Sequence, residues 1–100
     1  VFACVLTLDL RIPLADSLKA KRAVITPILE GARRRFGVSV AEVGHPDRHG
    51  RSELAFATVA STETGAREGL DAVERFVWSF PEVEVLDARR SWLDDDQEER

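Results

Sequence analysis

From Phe2 to Ile12 every second residue is apolar: Phe2, Cys4, Leu6, Leu8, Leu10 and Ile12, with Thr7, Asp9 and Arg11 between the later ones. Side chains alternate across an extended chain, so this period of two commits the segment to a strand with one buried face. Pro13 ends it. One strand cannot cover its own apolar face, and the rest of the chain has to supply partners of both kinds, more strands and something to lie over them.

The next segment changes period. Asp16 or Ser17 can cap a helix by accepting hydrogen bonds from its first free N–H groups. Leu18, Ile25, Ile28, Leu29, Ala32 and Phe36 then fall on one stripe at about 100° per residue. Pro27 lies inside that pattern and predicts a bend, since it removes one backbone donor. Gly37 suits the helix C-terminus. VSVAEV reads as a second strand, GHPDRHGR as a turn, and SELAFATVAS as a third strand completing a hairpin. In TETGAREGLDAVERFVWSF, residues Ala66, Leu70, Val73, Val77 and Phe80 give a second amphipathic helix, stopped by Pro81. EVEVLDARRSWL supplies a last strand. The order βαββαβ predicts an α+β, ferredoxin-like sandwich: a four-stranded antiparallel sheet with both helices on one face.

One hundred residues fit a single domain. No apolar run approaches the roughly 20 residues of a membrane span, and VFACVLTLDLRIP lacks the basic start of a secretion signal. A cytoplasmic protein with no membrane partner is expected. The single cysteine, Cys4, falls on the buried face of the first strand, which predicts no disulfide and no redox role. The net charge of -4 resides in the last seven residues, DDDQEER, with five acids and one base. The chain therefore divides into a neutral domain over 1–93 and an acidic, solvated tail over 94–100. The strongly basic surface of a dedicated nucleic-acid binder is missing, and no DNA partner is expected.

Charge is nonetheless concentrated locally. Lys19, Lys21 and Arg22 open the first helix and Arg33, Arg34 and Arg35 close it, six of the fourteen basic residues. The closing three complement the negative end of the helix dipole. The opening three are disfavoured by the positive end, which makes them the stronger candidates for an anionic partner. With Arg33, Arg34 and Arg51 they form a candidate RNA or anion-binding set, against the simpler reading of a solvated helix face. The outward residues of the first strand, Ala3, Val5, Thr7, Asp9 and Arg11, include no aromatic to stack a base, so an RNA contact would rest on phosphates and shape.

Within GHPDRHGRSE, the residues His45, Asp47, His49 and Glu53 are chemically suited to a metal. Pro46 and Gly50 favour a loop, in which the His-x-x-x-His spacing presents no common face, and ordinary hairpin polarity is the expectation. No nucleophile elbow or phosphate-cradling glycine loop accompanies them. No catalytic residue, metal or cofactor is assigned.

The motifs SLKAKR and VSVAEVGHPDRHGRSEL, closed by PEVEVLDARRSWL, resemble the YlxP-like family of small bacterial proteins of unknown function. The resemblance covers residues 1 to 93 and implies a ferredoxin-like fold. The genes of such proteins often lie among those for translation initiation and ribosome maturation, which implies a link to RNA or a ribosomal particle. The motif positions fall on Ser17, Leu18, Lys19, Lys21 and Arg22, and on Glu42, His45, Asp47, Arg51 and Glu53. Where the family usually has an acid before the histidine and an aromatic two residues beyond the aspartate, this chain has Gly44 and His49. Three functional expectations follow: a non-enzymatic accessory protein contacting RNA through the basic residues; a homodimeric interaction module using an open sheet face with Val5, Ala55, Ala57 and Val59; and, least favoured, a metal-dependent hydrolase at the histidine turn.

Overall fold

The computed structural model describes residues 1–93, and the acidic stretch 94–100 lies outside them. The elements are β1 (Phe2–Arg11), α1 (Leu18–Phe36), β2 (Ser39–Gly44), β3 (Arg51–Ala60), α2 (Glu63–Trp78) and β4 (Glu84–Leu93). The expected βαββαβ order is observed, with strand ends displaced by one or two residues. The sheet order is β2-β3-β1-β4 and every neighbouring pair is antiparallel.

The alternation that opens the chain decides the packing. Cys4, Leu6, Leu8 and Leu10 of β1 are buried, as are Leu54 and Phe56 of β3. Against them pack Ile25, Ile28 and Ala32 of α1 and Leu70, Val73 and Val77 of α2, forming one core. Each fully buried aliphatic side chain contributes roughly 1.5–3 kcal/mol by leaving water, and together they fix both helices to the same side of the sheet. Leu18 is the exception in the α1 stripe, at 43% exposure, because it stands at the rim where the helix begins.

Local chemistry sets the helix ends. Ser17 is the α1 cap, its hydroxyl accepting from Ala20 N–H at 3.0 Å, and Thr62 does the same for α2 with Gly65 N–H at 2.9 Å. α1 continues through Pro27. Ala23 and Pro27 are both exposed, so the carbonyl that loses its helical donor lies on the watered side. Phe76 of α2 reaches the backbone of α1 at Gly31, where an added Cβ would stand 2.6 Å from the ring. The β1–β4 register shifts between Asp9 and Leu10, leaving Leu86 as an extra residue on the β4 edge. Cys4 is 1% exposed; burial pushes its thiol pKa up, against the smaller opposing pull of Arg90.

Gly37 ends α1 at φ 66°, its N–H donating to the Arg33 carbonyl at 3.1 Å. Nothing lies within 4 Å of where a Cβ would be, so a substitution there meets only the backbone preference. Gly37→Ala is expected to cost about 1 kcal/mol in urea denaturation, and Gly37→Asn clearly less, since asparagine tolerates the left-handed region.

Candidate functional site

The motif residues converge where the start of α1 meets the β2–β3 hairpin, and Lys21 is at the centre of that junction. Its side chain is only 4% exposed. The ammonium donates to Glu42 Oε2 at 2.9 Å, to the His45 carbonyl at 2.8 Å and to the Arg51 carbonyl at 3.2 Å. An ammonium has three protons and all three are used. Ser52, fully buried, donates its hydroxyl to the same Glu42 oxygen at 2.8 Å. Burial alone would raise the Glu42 pKa, but the bonds from Lys21 and Ser52 and the Lys21 charge outweigh it and hold the carboxyl below its usual 4.5. Lys21 therefore leaves the anion-binding set. It is a joint between helix and hairpin, its charge spent on groups of its own chain.

The same joint shapes the histidine turn. His45 has φ 58°, in the left-handed region that non-glycine residues rarely enter. Its carbonyl accepts from Lys21 and also from Arg48 N–H at 3.2 Å, so that conformation is held from two sides. His49 is tied elsewhere, with Nδ1 2.7 Å from the Ala15 carbonyl. Asp47 is exposed, and Glu53 faces the other side of the sheet, bonded to Arg89 at 3.0 Å. The four candidate ligands do not converge, and no group of three such side chains suited to a metal occurs among the described residues. The hydrolase expectation loses its geometric basis here. Gly44 has a local explanation: a Cβ there would stand 2.5 Å from Glu53 Oε1, so an acid at this position would crowd and repel Glu53.

Arg51 is also matched internally, by both oxygens of Asp9 at 2.8 and 2.9 Å. Arg33 pairs with Glu30 at 2.6 Å. Lys19, Arg22 and Arg34 remain exposed and make no ion pair among the described residues, and the same holds for Arg48, which the sequence reading did not select.

The open side of the sheet is divided. At one end stand Ala3 and Val5 of β1, Ala55, Ala57 and Val59 of β3, and Ser39 and Ala41 of β2. Val5, Ser39, Val40, Ala41, Ala55 and Ala57 line a shallow, mainly apolar hollow of about 250 Å³. At the other end are Asp9, Arg11, Arg51, Glu53, Asp87 and Arg89, with Thr7 between. There Arg51 pairs with Asp9, Arg89 with Glu53 and Asp87, and Arg11 with Glu84. No aromatic side chain is on this face among the described residues. Trp92 aligns with Cys4 on the helical side, under the Arg67 guanidinium.

Lys21→Met would leave a carboxylate and two carbonyls without their donor and is expected to cost roughly 3 kcal/mol or more, measured by chemical denaturation at neutral pH. The sign with pH follows from Glu42. Its folded pKa is below 4.5, so its contribution is fully present above that value and fades as the pH falls through the folded pKa. The gap between wild type and Lys21→Met should narrow on acidification over that window.

No described helix is long and apolar enough to cross a membrane. The chain is 38% identical over 79 residues to the uncharacterized protein YlxP of Bacillus subtilis (strain 168), covering 79% of this chain and 86% of that protein. Among solved structures it is similar to a de novo designed ferredoxin-fold protein, LFR1 1, with a TM-score of 0.55 at 14% identity, covering 91% of this chain and 82% of that one. It is also similar to SnoaB, a cofactor-independent oxygenase from Streptomyces nogalater, with a TM-score of 0.53 at 7% identity over 95% and 94% of the two chains. At such identities these likenesses establish the ferredoxin-like fold alone. Residues 3–90 match the family model described as protein of unknown function (DUF503), and with the YlxP relative this places the chain as a member of that family.

Proposed function

We propose that this chain is a non-enzymatic interaction module that pairs with a second copy of itself through the apolar half of its open sheet face. The observation that carries this reading is the break in polarity along the central strands. A solvated face of an antiparallel sheet normally carries polar side chains, yet Ala3, Val5, Ala55, Ala57 and Val59 point outward from β1 and β3. Val59 is 70% exposed and Val5 36%. The charged half supports a like-with-like contact, because its arginines and carboxylates are already matched and two copies would not meet as surfaces of one sign. The whole open face, three strands of ten residues and one of six at about 3.3 Å per residue and about 4.8 Å apart, presents on the order of 600 Å² per copy, so a specific pair would use the charged half as well as the apolar one.

A second reading keeps the RNA or ribosomal contact on a smaller set of residues. Lys19 and Arg22 make no ion pair among the described residues and stand at the end of α1 where the dipole disfavours them, and the Lys21 joint holds the turn bearing Arg48 against the start of that helix. Arg34 is a more distant member.

Sedimentation at micromolar concentration is expected to show a dimer that Val5→Lys converts to monomer with unchanged circular dichroism. A wild-type chain that stays monomeric removes the first reading. For the second, RNA retention should fall with rising salt and lose about two units of salt slope in a Lys19→Glu, Arg22→Glu double variant. Retention unchanged by that variant removes it.

A further inference from the structure

The C-terminal half of α2 meets the end of α1 around a hollow of about 320 Å³ lined by Arg35, Phe36, Ala72, Arg75, Phe76 and Ser79. Its lining contains two guanidinium groups, one from each helix, and no carboxylate. Arg35 lies over both phenyl rings, 5.4 Å from the Phe36 centroid and 5.2 Å from that of Phe76. The rings meet edge to face at 5.6 Å, and Gly31 admits Phe76 close to α1. A guanidinium stacked in this way keeps its N–H edge available while losing much of its freedom beforehand, which lowers the cost of gripping an anion.

Arg75 has a different history. Asp71 precedes it by four residues, the spacing at which an acid and an arginine ordinarily pair along a helix. That pair is not made. Arg90 of β4 takes Asp71 at 2.8 Å and Glu74 at 3.0 Å, so the two acids pair with the sheet, although both line a second hollow beside Arg75 and Trp78. Neither Arg35 nor Arg75 has an ion pair among the described residues. The dipole of α1 accounts for basic residues in its last turn, since it favours cations there. Arg75 stands in the last turn of α2 and is favoured by that helix's dipole in the same way; neither dipole requires the two guanidinium groups to border one hollow with no carboxylate in its lining.

We infer that this hollow is an anion site in which Arg35 and Arg75 clamp a phosphate group, the stacked guanidinium giving directional hydrogen bonds and the opposite one completing the charge. Small phosphate compounds and a nucleic-acid backbone share this chemistry. The site stands independently of both readings above: it is on the helical side, away from the open sheet face, and about 24 Å along α1 from Lys19.

The test follows the arginine Nε–H resonances of the whole chain by NMR during titration with pyrophosphate, with sodium chloride at matched ionic strength as the control, and measures binding of a single-stranded RNA oligonucleotide in parallel. Saturable shifts at Arg35 and Arg75 are expected, with affinity falling about tenfold in Arg75→Gln, which disturbs no ring contact, and unchanged in Arg34→Gln. If RNA affinity falls with the pyrophosphate affinity in Arg75→Gln, the phosphate belongs to a polymer. If RNA binding is unaffected, it belongs to a small compound. Shifts that fail to saturate, that chloride reproduces, or that saturate with unchanged affinity in Arg75→Gln overturn the site. Loss of RNA binding only on replacing Lys19 and Arg22 would leave the RNA reading standing and confine this site to a small phosphate compound.

Discussion

A buried ammonium needs acceptors in fixed places, and Lys21 imposes that requirement on the whole β2–β3 end of the molecule. Taking a charge out of water costs several kcal/mol, and the cost is met only if each proton finds a partner. The partners come from three places in the chain: a side chain of β2, the carbonyl opening the turn and the carbonyl opening β3. Helix, turn and hairpin are thereby positioned together. Several residues that look like a ligand set in the sequence have structural duties instead. Ser17 caps the helix, Glu42 and Ser52 complete the ammonium's surroundings, Arg51 closes on Asp9, and Glu53 on Arg89.

With those residues occupied, the functional surfaces are to be sought among the groups left over. The two sides of the molecule differ in what remains. On the open side, the arginines and carboxylates pair with one another and much of the remaining surface is apolar. On the helical side, Lys19, Arg22, Arg34, Arg35 and Arg75 make no ion pair among the described residues.

Much of the fold was legible because it depends on local periodicity. Period two in β1, the shift to a helical stripe, and the turn residues of the hairpin each act within a few positions, and they predict the element order without reference to distant contacts. The site was less legible. Lys21 was grouped with exposed cations because a wheel shows it on the flank of the stripe, whereas its burial depends on residues 21 and 30 positions away. A signal was present. Glu42 falls in phase with Val40 on the core-facing side of β2, and Ser52 in phase with Leu54 and Phe56 on β3. A carboxylate on a core-facing position requires a cation, and the nearest helix offered one. Trp78 lies off the stripe of α2 that packs against the sheet and is 61% exposed.

Cys4 carries a practical consequence. Its sulfur sits on a central strand under α2-side packing, with the thiolate disfavoured by its surroundings, so alkylating reagents meet it only when the sheet parts from its helices. As the sole thiol in the chain, it makes the rate of its modification a direct clock for opening of the interior, with no label to introduce and no competing sulfur to subtract.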